Sequence, residues 1–437
     1  MPDPSGLLRA MFHFLYSNLS RILLSTFGSF GDLYPFLALG AELRKRGHAV
    51  LLATSESYRS KIEAEGLQFH AVRPDVSMED REMLAYVMDA KRGTERIVRY
   101  LASIVRDSYH DVSAPAAEAD LIVTHPITYG TVLAARKLRK PWASTVLAPI
   151  SFFSPHDPPM VSPAPWLHRV SMWGTGFAKL WMEPSKRHTL RWIRPIVQLE
   201  KELSLSSNGN PLFEGQHSPS LVLALFSRHF GPPQVDWPSS TVTAGFPFFE
   251  DRCAMPEELE RFLNAGPAPV VFTLGSSAVG AARNFYTDSL RAVERLGVRA
   301  VLLTGSHPQG LPDRLPDSVI AVPYAPHAQV FARASAIVHQ GGVGTTAQAL
   351  RSGHPMLVVP FAHDQYDNGE RIHRLGVGEW LAEPKYTSDR VEPLLARILT
   401  NVSYSQSALA FAKSIRDENG CAAAADAMDR LLNSCRA

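Results

Sequence analysis

The sequence predicts an α/β protein with two parallel β-sheets covered by helices. Short apolar runs alternate with helix-length amphipathic stretches along the 437 residues, a pattern typical of parallel strands joined by helices. The runs form two groups, one between residues 21 and 148 and one between residues 270 and 362. A stretch rich in proline and glycine, from residue 230 to 251, separates the groups and discourages helix formation.

Each apolar run predicts one strand, and the runs follow one another at the spacing that a helix between them requires. The predicted strands begin at Arg21, Ala49, Leu67, Leu121, Trp142, Val270, Ala300, Val319, Ala336 and Pro355. Because the proline-rich stretch divides them equally, we expect one sheet in each half of the chain. A chain of this length is also long enough for two domains.

The two groups of strands predict the domain boundaries. We assign residues 21–230 to a first domain, 231–250 to an interdomain linker, 251–410 to a second domain and 411–437 to a C-terminal helical segment. Residues 1–20 are interpreted as an N-terminal extension, because Arg9 and His13 interrupt an apolar run that is shorter than the roughly 20 residues of a membrane-spanning helix. An amphipathic helix on a surface would fit this extension, and a mistaken start codon is the simpler explanation.

Composition and charge narrow the class of protein. Hydrophobic residues make up 45% and charged residues 20% of the chain, as in ordinary folded proteins. The net charge of +2, with basic and acidic residues interspersed, lacks the clustered cations of a nucleic-acid-binding protein. Three widely separated cysteines without metal-ligand spacing predict a reducing cytoplasmic location, no disulfides and no structural zinc. The oligomeric state is left open.

The strongest motif is the run His339-Gln-Gly-Gly-Val-Gly-Thr-Thr, which follows a predicted strand. Gly341, Gly342 and Gly344 let backbone amides approach a ligand without a side chain in the way. The helix predicted after them points its unpaired N–H groups and positive dipole end at the same spot. The run predicts a diphosphate site, with Thr345 beside it and His339 as a further hydrogen-bond donor. A tight turn that uses glycine for steric reasons alone is the alternative.

Two further motifs end predicted strands. Tyr324-Ala-Pro-His327 lies upstream of the glycine turn, and His363-Asp364-Gln365 lies downstream. Ligands of open α/β sheets bind at the carboxyl ends of the strands. A base-stacking aromatic residue, a diphosphate turn and a hydroxyl-binding Asp-Gln pair follow the order of the parts of a nucleoside-diphosphate sugar. The combination predicts a nucleotide-sugar site.

The run from Tyr324 to about residue 378 resembles the donor-binding signature of family 1 glycosyltransferases. These enzymes adopt the GT-B fold, in which two Rossmann-like domains face each other across a cleft. The resemblance implies that Tyr324 stacks near the base and that His339 and the amides after it contact the diphosphate. It also implies that Asp364 and Gln365 bind hydroxyls of the transferred sugar.

Other segments extend the resemblance over most of the chain. Gly275 and Ser276 match the first loop of the family's second domain, which also faces the phosphates. Residues 28–50 are similar to the opening segment of bacterial and sterol-type members. Within the family, the likeness extends to rhamnosyltransferases of rhamnolipid synthesis and to sterol and antibiotic glycosyltransferases. It implies an inverting hexosyltransferase that needs no metal or other cofactor and takes a nucleotide sugar as co-substrate.

One departure from the family pattern bears on the donor. Many members carry a glutamate eight residues after the motif histidine to hold both ribose hydroxyls, and this chain has Ala347 there with Gln348 beside it. A deoxyribose donor such as dTDP-rhamnose would lose less by this change than a UDP-sugar. Sterol-type members with a similar gap use UDP-glucose, so both donors stay open.

Inverting transfer needs a base that takes the proton of the acceptor hydroxyl. The first loop, residues 25–34, contains no histidine, and Asp32 is the obvious replacement. An N-cap role for a helix that begins near Pro35 is the alternative. His125 at the end of the fourth predicted strand is the second candidate base, although it could instead pair with a carboxylate or be an ordinary polar residue.

Residues 151–199 do not fit the strand-and-helix alternation and are rich in aromatic side chains. Tryptophan and tyrosine favour places where one end is apolar and the other wet. We expect Phe152, Phe153 and Trp166 to line a pocket for a hydrophobic acceptor such as a lipid, sterol, polyketide or phenolic molecule. Peripheral contact with a membrane is a further expectation, and ordinary interdomain packing is the alternative. A sugar-nucleotide epimerase of the same fold would need no such pocket.

Overall fold

The computed structural model describes residues 19–76, 80–305 and 310–436. The predicted extension at residues 1–20 lies outside the described residues, except for Leu19 and Ser20. Two parallel sheets flanked by helices form the body of the protein. The predicted α/β fold of two Rossmann-like domains is confirmed.

Within the described residues, the first sheet has seven parallel strands in the order β3-β2-β1-β4-β5-β6-β7. They are β1 Arg21–Ser25, β2 Ala49–Thr54, β3 Gln68–Ala71, β4 Leu121–Thr124, β5 Trp142–Val146, β6 Val222–Ala224 and β7 Thr241–Thr243. Strands β4 and β5 are buried at every residue, because helices cover both faces of the sheet. Strand β7 lies inside the range predicted as linker, so the first sheet extends into that range.

The second sheet has six parallel strands among the described residues, in the order β10-β9-β8-β11-β12-β13. They are β8 Val270–Thr273, β9 Ala300–Leu303, β10 Val319–Val322, β11 Ala336–His339, β12 Met356–Val358 and β13 Gly378–Trp380. Strands β8, β9 and β11 are again buried at every residue. The second sheet therefore repeats the strand order of the first sheet around its own first strand.

Helices connect the strands. In the first half of the described chain they are α1 Phe30–Lys45, α2 Arg59–Ala64, α3 Arg81–Val87, α4 Gly93–Ser103, α5 Val105–Glu118, α6 Tyr129–Lys137, α7 Trp166–Ser171, α8 Thr175–Thr189 and α9 Arg194–Glu202. In the second half they are α10 Glu257–Asn264, α11 Gly275–Ala278, α12 Phe285–Leu296, α13 His327–Phe331, α14 Val343–Ser352, α15 Gln365–Arg374, α16 Ser388–Thr400, α17 Val402–Ile415 and α18 Gly420–Arg436. None of the described helices is both long and apolar enough to cross a bilayer.

The strand order reverses beside β1 in the first sheet and beside β8 in the second. Strand β1 pairs with β4, and β8 pairs with β11. The crevice outside the carboxyl ends of two such strands is where ligands bind in open α/β sheets. In this chain the loops after these four strands carry Asp32, His125, Gly275 and Gly341. The fold thus brings the predicted catalytic and phosphate-binding loops to the two reversal points.

The last described helix, α18, returns to the first domain. Met428 and Leu432 of this helix belong to the same apolar core as Leu37 of α1. Asp429 lies 2.9 Å from both Arg46 and His48, which follow α1 in the chain. The helix before it, α17, packs through Phe411 into the core of the second domain. The predicted C-terminal helical segment therefore bridges the two domains.

Candidate active site

Two cavities lie between the sheets. The larger has a volume of about 750 Å³ and the smaller a volume of about 360 Å³, both within the usual range for sites of small molecules. A set of residues from both domains lines the two cavities together: Gly31, Leu147, Ser276, Val343, Gly344 and Thr345. The cavities therefore meet between the first loop of the first domain and the glycine turn of the second.

Aromatic side chains line the smaller cavity. Phe30 and Tyr34 come from α1, and Tyr34 stacks on Phe249 with 4.8 Å between ring centroids. Tyr324 lies in the opposite domain and donates a hydrogen bond to the carboxylate of Asp251 across 2.6 Å. Its ring lies in the wall of this cavity, where the sequence predicted a base-stacking aromatic residue. The smaller cavity has the flat apolar walls that a nucleoside base requires.

The glycine turn joins β11 to α14. Gly341 has a φ of +90°, and a Cβ there would lie 2.6 Å from a side-chain carbon of Val358, so the turn accepts only glycine. Gly341 itself lines neither cavity, whereas Gly342 and Gly344 line the larger one. A Cβ on Gly344 would lie 3.7 Å from the Cα of Gly31. The first residues of α14 therefore lie where the cavities meet, and helix N-termini bind anions.

His339 lies beneath this turn. Its ring is completely buried, and Nδ1 accepts a hydrogen bond from the N–H of Gly341 across 3.1 Å. The Nε2 atom faces the sulfur of Met356 at 3.4 Å. Burial lowers the pKa of His339 to about 3, so the ring is neutral at pH 7. The sequence pattern predicts this side chain at the diphosphate, but in the structure it lines neither cavity and instead holds the turn in place.

Asp364 and Gln365 line the larger cavity at the start of α15. The amide nitrogen of Asn368 donates to the carboxylate of Asp364 and to the carbonyl of Gly341, each across 2.8 Å. The side-chain oxygen of Gln365 accepts the N–H of Phe361 across 2.8 Å, which leaves its amide group as a donor. Burial raises the pKa of Asp364 to about 7. The amide group of Gln365, as a donor, and the carboxyl group of Asp364 therefore lie together in the larger cavity beside the glycine turn.

Gly275 and Ser276 follow β8, as predicted, and lie beside the glycine turn. Gly275 has a φ of +59°, and a Cβ there would lie 2.4 Å from the side-chain nitrogen of Gln340. Gly275 lines the smaller cavity, and Ser276 lines both. Ser276 therefore lies close to the junction where a diphosphate would be expected.

Apolar side chains form most of the wall of the larger cavity. They include side chains of helices α3 and α4, of the aromatic segment and of the residues that follow β4, β5 and α9: Met83, Leu84, Val87, Met88, Ile97, Val98, Ile127, Leu147, Ile150, Phe153, Val161, Leu167, Trp181, Trp192, Leu212 and Phe213. Phe153 has a φ of +50°, and its ring packs 4.7 Å from Phe213 and 5.6 Å from Trp181. The predicted acceptor position of Phe153 fits this wall.

The other two predicted acceptor residues lie elsewhere. Phe152 stacks on Trp237 with 3.9 Å between centroids and packs against Phe226, and its ring does not line the cavity. Trp166 points outward from the start of α7 and is 64% exposed, and it does not line the cavity either. The structure therefore corrects both positions. Trp181 and Trp192 of the same aromatic segment line the cavity instead.

Asp32 lies in the first turn of α1 and lines the larger cavity. The helix begins at Phe30 with Ser29 as its N-cap, so it starts earlier than the predicted position near Pro35. One carboxylate oxygen, Oδ2, accepts the N–H of Ser29 across 2.8 Å and closes a capping box. The other oxygen, Oδ1, lies 3.2 Å from Nε2 of His125. The side chain stays 33% exposed, so capping and access to the cavity coexist.

His125 also lines the larger cavity, although its side chain is nearly buried. Its Nε2 faces Asp32, and its Nδ1 faces the N–H of Ile127 at 3.5 Å. Both ring nitrogens therefore have partners within the protein. The two candidate bases form a pair, with the carboxylate nearer to the cavity and the imidazole behind it.

Sequence reasoning missed a contact that closes one side of this site. Nδ1 of His363 lies 3.2 Å from the hydroxyl of Thr94, which belongs to α4 of the other domain, and both residues line the larger cavity. His363 has a φ of +57°. The motif around Asp364 gave a signal for His363, but no pattern in the sequence marked Thr94.

Comparisons with known proteins bear on this geometry. Residues 290–426 match the family model "Erythromycin biosynthesis protein CIII-like, C-terminal domain", and residues 22–119 match "Glycosyltransferase family 28 N-terminal domain". The O-mycaminosyltylonolide 6-deoxyallosyltransferase of Streptomyces fradiae is 31% identical over 373 residues, which cover 82% of this chain and 84% of that protein. The chain belongs to the UDP-glycosyltransferase-like family 1 of glycosyltransferases.

Further matches agree with this assignment. A sterol 3-beta-glucosyltransferase of Arabidopsis thaliana is 28% identical over 435 residues, which cover 94% of this glycosyltransferase and 68% of the plant protein. The glycosyltransferase spans only about a third of the length of the fungal sterol 3-beta-glucosyltransferases that it matches. The crystal structure of the glycotransferase of kitacinnamycin is similar with a TM-score of 0.72 and 19% identity, over 94% of this chain and 99% of that one. This last likeness shows the GT-B fold.

The arrangement of the glycosyltransferase's cleft separates three chemical tasks. The smaller cavity offers aromatic walls, the junction offers a helix N-terminus with Ser276, and the larger cavity offers an apolar wall with the carboxylate of Asp32 at its inner end. Asp32 lies at that inner end, one residue from Gly31. A sugar held at the junction would therefore have a carboxylate on one side and the diphosphate turn on the other.

Proposed function

We propose that this glycosyltransferase moves a hexosyl group, with inversion, from a nucleoside-diphosphate sugar to a hydroxyl of a hydrophobic acceptor. The observation that carries the proposal is the position of Asp32 at the inner end of the apolar cavity. Its neighbour Gly31 lies against Gly344, where the two cavities meet. A nucleotide in the smaller cavity and an acceptor in the larger one would bring the sugar and the hydroxyl together beside this carboxylate.

In the proposed reaction Asp32 is the general base. Its Oδ1 takes the proton of the acceptor hydroxyl while that oxygen attacks the anomeric carbon from the side opposite the diphosphate. The bond between the anomeric carbon and the diphosphate oxygen breaks, and its electron pair leaves with the nucleoside diphosphate. The N-terminus of α14 and the hydroxyl of Ser276 stabilise the charge that develops there. The proton on Asp32 then returns to solvent.

His125 is proposed as a positioning residue for this base. Its Nε2 donates to Oδ1 of Asp32 across 3.2 Å, and its Nδ1 accepts the N–H of Ile127. With both nitrogens occupied, the ring has no free lone pair for the acceptor. It can hold the carboxylate in place and stabilise its charge.

The acceptor class follows from the wall of the larger cavity. Apolar groups form most of its exposed surface, so a polar acceptor would lose much of its hydration without compensation. Two relatives are named for transfer to a sterol and to a tylonolide derivative. We propose a lipid, sterol, polyketide or phenolic acceptor with one hydroxyl at the inner end of the cavity.

The donor's nucleoside is proposed to be thymidine or uridine. Ala347 and Gln348 line the smaller cavity where many family members have a glutamate for the ribose. The side-chain oxygen of Gln348 is buried and has no hydrogen-bond partner among the described residues, so it is available to one ribose hydroxyl. A single acceptor of this kind suits a deoxyribose, which supports a dTDP-sugar, and UDP-glucose stays the second candidate.

Metal-independent transfer and a cytoplasmic location belong to the same proposal. The helix N-terminus at the junction supplies positive potential to the leaving diphosphate. Undiminished transfer in the presence of excess EDTA would support this part, and loss that Mg²⁺ restores would contradict it. The free thiols Cys253, Cys421 and Cys435 suit a reducing compartment.

The test measures transfer for each combination of several donors and several acceptors. Purified enzyme is incubated with dTDP-rhamnose, dTDP-glucose or UDP-glucose and with a hydroxylated fatty acid, a sterol, a macrolide, a phenol or free glucose. Products are followed by mass spectrometry, and the anomeric configuration by NMR. Transfer to the apolar acceptors with inversion is the expected result. Equal rates on free glucose would contradict the acceptor class.

A sugar-nucleotide epimerase of the same fold is separated by one control. An epimerase converts the donor without any acceptor, whereas the proposed transferase consumes donor only when an acceptor is present. The apolar cavity beside Asp32 favours the transferase, because an epimerase has no use for it. Rapid epimerisation of the donor alone would overturn the proposal.

A further inference from the structure

Exposed apolar side chains cluster on helices α7 and α8 of the first domain. We call them the aromatic patch, defined by Trp166, Met172, Trp173, Phe177 and Leu180, which are 64%, 59%, 73%, 46% and 73% exposed. The rings of Trp173 and Phe177 contact each other edge to face at 5.6 Å. Single exposed apolar residues are ordinary, but a contiguous group marks an interaction surface.

The turn between these helices protrudes from the domain. A Cβ on Gly174 or on Gly176 would meet no heavy atom within 4 Å. Trp173 lies in this turn, and Phe177 lies in the first turn of α8. The two rings therefore stand at a tip that a flat surface can reach without collision.

The chain segment that carries the aromatic patch is rich in positive charge. Residues 166–194 contain six lysine and arginine residues and one acidic residue, Glu183, a net charge of +5 in a chain whose total is +2. Five of these cations are exposed and form no ion pair with a described residue: Arg169, Lys179, Arg187, Arg191 and Arg194. Because residues 166–194 carry +5 and the whole chain only +2, the rest of the chain is net acidic. Exposed aromatic side chains on a segment with many unpaired cations are complementary to an anionic lipid surface.

The same two helices also contribute residues to the larger cavity. Leu167 of α7 and Trp181 and Ser185 of α8 line that cavity, while Ala178 and Met182 are buried against the domain. Trp181 follows Phe177 by four residues, so the cavity-lining side of α8 adjoins the exposed side that carries Phe177 and Leu180. A bilayer on the outer face would lie one helix away from the acceptor cavity.

We propose that the aromatic patch docks the enzyme onto an anionic bilayer, so that a lipid-phase acceptor enters the larger cavity from the membrane. This inference rests on the proposed hydrophobic acceptor. The aromatic rings insert at the level of the headgroups, and the surrounding cations bind anionic phosphates. The docking itself needs neither donor nor acceptor.

The test is flotation of the full chain with vesicles, without donor or acceptor. The vesicles are phosphatidylcholine alone or phosphatidylcholine and phosphatidylglycerol in equal parts. We expect flotation with the anionic vesicles, weakened by salt, and a blue shift of tryptophan emission. Trp173→Ser with Leu180→Ser should weaken partitioning about tenfold or more, as should Arg169→Glu with Lys179→Glu.

Matched controls alter exposed residues outside the patch. Val235→Ser with Val402→Ser removes equally exposed apolar side chains, and Lys385→Glu with Lys413→Glu reverses exposed cations on the second domain. Both controls should float like the parent. Equal flotation of the patch variants and the control variants would overturn the proposal. Failure of the parent protein to float with the anionic vesicles would overturn it as well. A dimer that dissociates on patch substitution, without vesicle binding, would show that a second copy covers the patch and would also overturn it.

Failure of this inference is distinguishable from failure of the proposed function. The patch variants should keep the parent's transfer rate on a short, water-soluble phenolic acceptor, because none of the substituted residues lines either cavity. Loss of vesicle binding with intact transfer would confine the effect to docking. Flotation without transfer to any apolar acceptor would instead contradict the proposed function.

Discussion

The guanidinium of Arg371 lies 2.7 Å from the carboxylate of Asp157, and both side chains are buried. Arg371 belongs to α15, whose first residue is Gln365, and Asp157 belongs to the loop before α7. The second carboxylate beside Arg371, that of Asp367, accepts the N–H of Met160 across 3.0 Å. A buried ion pair therefore fixes α15, which begins at the larger cavity, against the loop that precedes α7.

Replacing Arg371 should destabilise the protein strongly. In Arg371→Met two buried carboxylates lose their main cation, and breaking a buried pair in this way costs about 3–5 kcal/mol. The matched variant Arg374→Met removes a cation that is 34% exposed and lies 3.1 Å from Asp157, and exposed pairs contribute about 0–1 kcal/mol. Urea unfolding of both variants measures the difference. Equal losses would show that burial of Arg371 does not set its contribution.

Asp32→Asn should abolish most transfer while it preserves donor binding. The asparagine oxygen can still accept the N–H of Ser29 and cap α1, so the fold should persist. The amide cannot take a proton, and loss of a general base lowers rates by about 10²–10⁴. Steady-state kinetics with a donor titration by calorimetry tests both parts. Transfer at the parent rate would disprove the base assignment.

His125→Gln separates positioning from catalysis. The glutamine can donate to Asp32 but does not reproduce the position of the imidazole, so we expect a loss of about tenfold, or about 1.4 kcal/mol, in kcat. The KM for the donor should not change, because His125 does not line the smaller cavity. A loss as large as that of Asp32→Asn, with the loss of one limb of the pH profile, would identify His125 as the base instead.

The positions of Asp32, His125 and the glycine turn could be predicted because each follows a run of apolar residues that forms a buried strand. The carboxyl ends of parallel strands lie at one edge of their sheet. The runs alone therefore place Asp32 and His125 at this edge of the first sheet and the glycine turn at the same edge of the second. The apolar runs do not show which way a side chain at the end of a strand points. His339 is the last residue of β11, and its ring turns into the core, where it accepts the N–H of Gly341.

Phe152 and Phe153 show a second limit of the sequence pattern. The two residues are adjacent and chemically identical, yet Phe153 has a φ of +50°, which turns its ring into the cavity while Phe152 packs on Trp237. A positive φ at a non-glycine residue leaves no trace in hydrophobic periodicity. Trp166 was misplaced for a related reason, since an aromatic-rich segment does not reveal which of its faces is outward.

Gly344→Ala should weaken donor binding, whereas Gly341→Ala should lower the stability of the fold. A methyl group at Gly344 would make an ordinary contact at 3.7 Å with Gly31, so stability should change by less than about 1 kcal/mol. It would occupy the junction of the cavities and raise the KM for the donor about tenfold or more, since about 1.4 kcal/mol of lost binding is tenfold. At Gly341 the φ of +90° should make alanine cost about 1–3 kcal/mol of stability. Thermal unfolding and donor titration of both variants distinguish the two effects.

The carboxyl group of Asp364 should give stability and donor binding opposite pH dependences. Burial raises its pKa from 3.8 to about 7 in the folded protein. Between these values the folded state holds a proton that the unfolded state releases, so this group's contribution to stability falls as pH rises from about 4 to about 7. The ionised carboxylate accepts hydroxyl hydrogen bonds better than the neutral acid, so donor affinity should rise through about pH 7. In Asp364→Asn both dependences should flatten, as urea unfolding and calorimetry across this interval can measure. Parallel slopes in the parent, or an unchanged donor profile in the variant, would show that this carboxyl group does not bind the sugar.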